Sequence, residues 1–393
     1  MTKDPTLDHD ALARHLLACV REALAAAPAF DPPPSIDLAV AAFPRGGAPV
    51  WANVLFSRTW PQGRVAEIGP QAGAVRNVMF MADPLDAAGR SIAWQRGSDW
   101  TQLPLRPLAG HGERFIAPYP ASVLKLMVGL GVACLVDSGR AAWAAPWGHA
   151  GKVQRIEQLM DAMLTVSNNE ATDALVALLH ARGLIRREDD VERYNELHAL
   201  FELEGLHTLR LANTQANGGW RNGDGAGVGQ IQMTAWDTLR MLWRVSPDLP
   251  AAPWCLPAAA PWLAPASAQR LWGWLAAQRL HEVLSSESLA GLSGWQRGIP
   301  ARLPPGAKQP AKPHAKQPAA QASADARFAH KTGNTESYTA CAGRVQGDAG
   351  RDYLIALFTT LGSRHAPCEG CATDWCVPRI GAALDAWLKA RLE

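Results

Sequence analysis

Pro120-Ala121-Ser122-Val123-Leu124-Lys125, with the run Leu-Met-Val-Gly-Leu-Gly-Val-Ala-Cys-Leu-Val over residues 126 to 136, decides how the rest of the chain is read. Ser122 and Lys125 stand three residues apart, so on a helix both side chains leave the same face. A desolvated, neutral lysine amine can take the proton of a neighbouring hydroxyl and turn a weak nucleophile into a reactive one. The run behind them is uncharged and apolar. It is too short to cross a bilayer and suits a helix buried in a core. Ser122 would then sit at the N-terminal end of that helix, where the dipole and free N–H groups favour developing negative charge. An ordinary exposed first turn could carry the same two residues, so the rest of the chain has to decide.

The chain has 393 residues, length enough for two or three packed units. Hydrophobic residues make up 48% and charged residues 19%, the composition of a globular protein, and a net charge of +2 gives no sign of a nucleic-acid partner. The 16 Trp are read as core and groove wall. The N-terminus is unlike a signal peptide: Asp4, Asp8, Asp10, Arg14, His15, Arg21 and Glu22 interrupt it, while Leu12, Leu16, Leu17, Val20 and Leu24 keep a helical stripe. With no transmembrane segment elsewhere, the expectation is a cytoplasmic protein. Of the 7 cysteines, Cys19, Cys134, Cys255 and Cys341 lie in apolar surroundings. Cys368, Cys371 and Cys376 cluster behind His365. Four such ligands could hold zinc, but the spacing is not that of a standard finger, and the preferred reading is a loop with reduced thiols or one disulfide. No metal and no cofactor are expected.

Outward from Ser122, the chain separates into strands at its ends and helices in its middle. Pro32-Pro33-Pro34 closes a first helix. Residues 36–43 and 50–56 read as strands, and 77–82 with 91–95 as a hairpin. Residues 151–164 and 169–179 read as helices, and 186–203 as a charged helical insertion. Residues 218–229 form a glycine-rich loop without the Gly-x-x-x-x-Gly-Lys spacing of a phosphate cradle. Residues 234–245 read as a helix with a Thr234–Asp237 capping box. Residues 250–296 look helical with proline breaks. Leu303 to Ala326 repeats Ala-Lys-Gln-Pro and offers almost nothing to bury, which predicts a mobile loop. Strands follow at 340–345 and 353–360, then an amphipathic helix marked by Ile380, Leu384, Trp387 and Leu388. One antiparallel sheet built from both chain ends and packed against a helical subdomain is the economical α+β arrangement.

Two further segments bear on Ser122. Ser167-Asn168-Asn169 sits between two helices and alone would be an ordinary N-cap. His330-Lys331-Thr332-Gly333-Asn334-Thr335 opens a strand pair and alone would be a turn entry. In order, however, Ser-x-x-Lys, Ser-x-Asn and Lys-Thr-Gly are the three motifs of the active-site serine acyl-enzymes, and from Ile36 to the C-terminus the chain resembles the superfamily of class A β-lactamases and penicillin-binding proteins (DD-peptidases). The resemblance implies a β-lactamase/transpeptidase-like fold. Its parts would be an N-terminal helix (1–30), the first sheet strands (31–117), a helical subdomain with the serine helix (118–300), the Ala/Pro/Lys/Gln-rich loop (301–327), and the closing strands with the last helix (328–393). Together they would make one catalytic domain.

The resemblance also implies roles. Ser122 attacks the carbonyl of a lactam or amide, Lys125 accepts its proton, Ser167 passes a proton to the leaving nitrogen, and Asn169 orients substrate and Lys125. Lys331 brings positive charge to a substrate carboxylate, which Thr332 binds through its hydroxyl. Gly333 lies beside the oxyanion hole formed by the N–H groups of Ser122 and Asn334. Arg344, on the next strand, is a weaker candidate for that carboxylate, and a solvent-facing sheet residue is the preferred reading.

The departures from the family are specific. Only 45 positions separate Ser122 from Ser167, which shortens the wall that usually carries an aromatic gate. Class A enzymes carry a glutamate in the loop before the Thr234 helix, with an asparagine four residues later. Here that stretch reads Leu211-Ala212-Asn213-Thr214-Gln215-Ala216-Asn217-Gly218, without a carboxylate, and an amide is no general base at neutral pH. Asp224 lies a few residues on. The expected protein is a serine hydrolase acting through acyl-Ser122 on a lactam, amide or ester bond, as a monomer on a small molecule or peptide carrying a carboxylate. The alternatives are a D-alanyl-D-alanine-type peptidase, amidase or esterase with poor lactam turnover, and a weakly acylating binding protein of the same fold.

Overall fold

The computed structural model describes residues 7–84, 86, 90–188, 191–220, 231–255, 260–307, 324–366 and 373–392. The helical middle of the chain is held by a sheet that the two chain ends build. After α1 (His9–Ala25) come β1 (Ile36–Ala42), β2 (Val50–Phe56) and the short β3 (Arg64–Val65). The chain closes with β13 (Ala326–Asn334), β14 (Thr339–Gly347), β15 (Asp352–Thr359) and α8 (Cys376–Leu392). Between lie β4 (Val78–Ala82), β5 (Pro107–Gly110), β6 (Glu113–Ala117), α2 (Lys125–Asp137), β7 (Pro146–His149), β8 (Lys152–Arg155), α3 (Ile156–Thr165), α4 (Asn169–Ala181), β9 (Ile185–Glu188), β10 (Val191–Asn195), α5 (Glu196–Leu203), β11 (Arg210–Leu211), β12 (Ile231–Gln232), α6 (Ala235–Arg244) and α7 (Pro265–Ala276).

The main sheet runs β13-β14-β15-β1-β2-β3, every pair antiparallel. Strand β1 is apolar on both faces apart from the buried Asp37, because helices cover both its faces. Ile36, Leu38, Val40 and Ala42 meet the core under α1 and α8, while Ala39 and Ala41 join the larger core shared with the helical middle. Helix α2 is apolar all round and is buried in that larger core, as its composition requires. The α+β arrangement expected from the sequence is the one found.

Local departures have identifiable causes. Strand β4 pairs antiparallel with β5 and parallel with β6, so 91–95 is no hairpin partner. Ser91 instead donates its hydroxyl to the buried Asp83 carboxylate at 2.9 Å. The helix expected from 151 starts only at Ile156, since 146–155 fold back as the β7–β8 hairpin. The charged insertion is half hairpin, β9–β10, and half helix, α5. The Thr234–Asp237 capping box is not formed: the hydroxyls of Thr234 and Thr208 pair at 2.7 Å, Asp237 accepts from Thr208, and the N–H of Ala235 is capped by Asp37 of β1 at 2.8 Å. Of residues 250–296 only 265–276 are α-helical among the described residues. Most of the Ala/Pro/Lys/Gln-rich stretch, together with Asp224, Cys368 and Cys371, lies outside the described residues. The two ends of that stretch meet: Ala301 bridges Ala326, and Arg302 N–H donates to Ala326 O at 2.8 Å.

Candidate active site

Strand β6 delivers the chain to Pro120, and one 3₁₀ turn over Ala121–Leu124 precedes α2, which begins at Lys125. In a turn of that pitch, residues i and i+3 eclipse, which puts Ser122 above Lys125. Ala121 takes a left-handed conformation (φ 48°), a placement that for a residue with a Cβ costs ~1–3 kcal/mol and persists only where packing enforces it. Ser167 does the same (φ 59°) at the corner between α3 and α4. The cap of α4 is the next residue, Asn168, whose side chain accepts Ala171 N–H at 2.7 Å. Ser167 is thereby left to face the lysines.

Lys125 is 1% exposed, and its Nζ donates to Ser167 O (2.7 Å), Ser167 Oγ (3.0 Å) and Asn169 Oδ1 (2.7 Å). Burial lowers its pKa to about 8, against a partial upward pull from the Asp173 carboxylate. Lys331 is fully buried, and its Nζ reaches the same Ser167 Oγ at 3.0 Å and Thr332 O at 2.7 Å. Burial first, and the nearby Lys125 charge second, hold Lys331 well below the ordinary lysine range. Two amines on one hydroxyl oppose each other's charge, so the pair gives up a proton more readily than lysine does in water.

Gly333 brings strand and serine turn together. A Cβ there would lie 2.6 Å from Ser122 N, 2.8 Å from Pro120 O and 2.9 Å from Val123 N, all backbone atoms. Only glycine lets β13 pass this close. Asn334 follows, its Oδ1 accepting from Thr339 Oγ1 at 2.8 Å. A cleft of about 640 Å³ opens above, lined by Tyr119, Ser122, Asn169, Asp173, Trp220 and Asn334, among others. Its far rim, the turn at Thr335–Ser337, is anchored by Tyr338, which donates its phenol to Asp83 at 2.8 Å.

Seven of the expected site residues, Ser122, Lys125, Ser167, Asn169, Lys331, Gly333 and Asn334, therefore meet at one place. Thr332 touches the cluster through its backbone O, which accepts from Lys331 Nζ; its side chain is 3% exposed, and Thr335 rather than Thr332 lines the cleft. Arg344 is neither solvent-facing nor open to a substrate carboxylate: it is 5% exposed, and its guanidinium is held by Asp352 (2.7 and 2.6 Å) and Asp248 (2.5 Å). The stretch 211–218 brings no carboxylate to the cleft. Thr214 Oγ1 is 2.9 Å from His180 Nε2, and the Gln215 side chain donates to Asn213 O at 3.4 Å. Residue-by-residue reading missed Tyr119, Trp220 and Asp173. Asp173 was legible: it stands four residues after Asn169, hence on the same face of α4.

Among the described residues no group of three or more His, Cys, Asp or Glu gathers as metal ligands, and no helix is long and apolar enough to cross a membrane. Cys376 is buried, which pushes its thiol up to about 12, and His365 accepts from Arg364 Nε at 3.0 Å.

Solved structures similar in fold include an acyl-enzyme complex of a point mutant of PBP-A with penicillin G (14% identity, 98% of this chain and 99% of the other, TM-score 0.51). They also include PBP-A itself (14%, 98% and 99%, TM-score 0.50) and a β-lactamase from Xanthomonas campestris (12%, 95% and 98%, TM-score 0.49). No curated protein matches the chain in sequence. The model of the β-lactamase enzyme family matches residues 118–372, a span that runs from the serine turn through β15, and the chain belongs to that family.

Proposed function

We propose that this protein is a serine hydrolase that forms an acyl-Ser122 intermediate from a lactam, amide or ester. The observation that carries the reading is the single hydrogen-bonded cluster of Lys125, Ser167, Asn169 and Lys331 beneath the Ser122 turn. A fully exposed lysine would be almost wholly protonated at neutral pH. Burial of Lys125 leaves part of it as free amine, able to accept the Ser122 proton as Oγ bonds to the substrate carbonyl carbon. The oxyanion that forms is met by the N–H groups of Ser122 and Asn334; the close packing of Gly333, which precedes Asn334, against Ser122 N supports this. Ser167, 3.0 Å from both amines, carries the proton on to the leaving nitrogen. A substrate carboxylate near Lys331 restores that lysine's charge, since an anion favours the ammonium form.

A second reading, a D-alanyl-D-alanine-type peptidase, amidase or esterase that releases lactam-derived acyl groups slowly, is favoured by the amides at 213, 215 and 217 where a water-activating carboxylate would serve. Labelling with a fluorescent penicillin tests the common part of both. A covalent adduct on the intact chain is expected, and its absence from the wild-type protein would rule the reading out for lactams.

A further inference from the structure

Release of an acyl group from Ser122 needs a base for water, and the stretch 211–218 supplies none. Resting on the acyl-Ser122 reading above, we infer that Asp173, on α4, is the general base that activates the deacylating water. Asp173 lies one turn beyond Asn169 on the same helix face, and Asn169 binds Lys125 directly. Asp173 lines the cleft that holds Ser122, and also the adjoining cleft of about 590 Å³ beside Trp147 and His149. The partition between the two clefts is therefore an acid.

The chain folds around this carboxylate without occupying it. At Gly218 (φ +100°) a Cβ would fall 2.5 Å from Asp173 O, and at Gly219 one would fall 3.3 Å from Asp173 Oδ1. Two consecutive glycines thus let the loop settle over Asp173 with space beside the carboxylate. Among the described residues neither of its oxygens accepts a hydrogen bond, unlike Glu170 on the same helix, which is exposed and bound to Lys152 at 2.7 Å. Lys125 and His149 are its positively charged or chargeable neighbours. Partial burial raises its pKa, which makes the ionised form a stronger base than a surface aspartate.

The step balances within the site. Asp173 takes a proton from water as the water oxygen bonds to the acyl carbon. The tetrahedral intermediate collapses, the bond from that carbon to Ser122 Oγ breaks, and the proton on Asp173 passes through the Lys125 amine to Ser122 Oγ. A free acid leaves and the carboxylate of Asp173 is restored. The family resemblance looks for this base in the loop at 211–218; in this chain it stands on the helix.

The test is rapid-mix kinetics with a chromogenic cephalosporin on wild type, Asp173→Asn and Glu336→Gln, Glu336 being another carboxylate that lines the cleft. Asp173→Asn should keep a burst of one product per chain, which also shows that its site is folded, while the steady rate falls about 10²- to 10⁴-fold. Intact-mass measurement should show the adduct persisting correspondingly longer. Unchanged release in Asp173→Asn, or slow release in Glu336→Gln instead, would overturn the inference and leave the acyl-Ser122 reading standing. Wild type forming no adduct at all would remove both. Asp173→Glu, which keeps the base, should recover part of the lost rate; a variant as slow as Asp173→Asn despite a normal burst would also count against the inference.

Discussion

Replacing Gly333 with alanine is the most local perturbation of the proposed oxyanion hole. The added methyl would meet three backbone atoms at 2.6 to 2.9 Å, and real Cβ contacts do not come so close. Because backbone cannot rotate away as a side chain can, β13 or the serine turn must shift by several tenths of an ångström. Overpacking of this kind costs ~1–3 kcal/mol, within the usual ~5–15 kcal/mol margin of a folded domain. The melting temperature should fall by about 10 °C or less, with the fold kept. The chemical effect should be larger. The added methyl would press on Ser122 N, one of the two proposed oxyanion donors, and displacing one such donor costs about 10²- to 10³-fold in rate. Gly273 on α7 has nothing within 4 Å and provides the control: alanine there should leave acylation unchanged and stabilise the helix by up to ~1 kcal/mol. The assay is stopped-flow acylation with a reporter lactam beside calorimetry. A folded Gly333→Ala protein acylating at the wild-type rate would refute the argument.

Other expectations follow from the same geometry. Acylation should rise with pH and level off near the Lys125 pKa of about 8; at pH 7 this shift raises the neutral fraction about 300-fold over an ordinary lysine, and a profile flat from pH 6 to 9 would exclude Lys125 as the base. Arg344→Ala should lower stability by ~1–3 kcal/mol through loss of its contacts with Asp352 and Asp248, yet leave the acylation KM almost unchanged; a large KM effect would return Arg344 to the substrate site. Asp37, buried and raised to about 7, stays protonated in the fold while the unfolded chain ionises near 3.8. Its contribution is therefore full below about 4 and is lost as pH rises to about 7, so the stability difference between wild type and Asp37→Asn should move against wild type across that interval in chemical denaturation. Joining Ala307 directly to Ala324 by a short linker should barely change the denaturation midpoint, because the Ala301–Ala326 bridge already holds the ends together and loop length enters only logarithmically.

The layout of the sheet was legible because its strands carry their own signal. Residues 36–42 and 50–56 are apolar on both faces but for Asp37 and Asn53, a composition that suits a doubly covered strand. Ser122, Lys125, Ser167 and Lys331 were legible for a different reason: their spacing is tied to a chemistry. What stayed hidden depends on distant partners. Nothing near Thr234 announces that its helix is capped by Asp37, 198 residues away. Strand 78–82 needed 107–117 and not the nearer 91–95, which a reading based on turns cannot see. Arg344 looked like a surface residue because Asp248 reaches it from another part of the chain. Asp173 escaped because the family keeps its base in the loop before the Thr234 helix, although the four-residue offset from Asn169 was in plain view.

The proposed chemistry requires a covalent bond at Ser122. Wild type and Ser122→Ala should each be incubated with benzylpenicillin and weighed intact, with peptide mapping of any adduct. One penicilloyl group on wild type, mapped to Ser122 and missing from Ser122→Ala, is the predicted result. An adduct of equal yield on Ser122→Ala would contradict it.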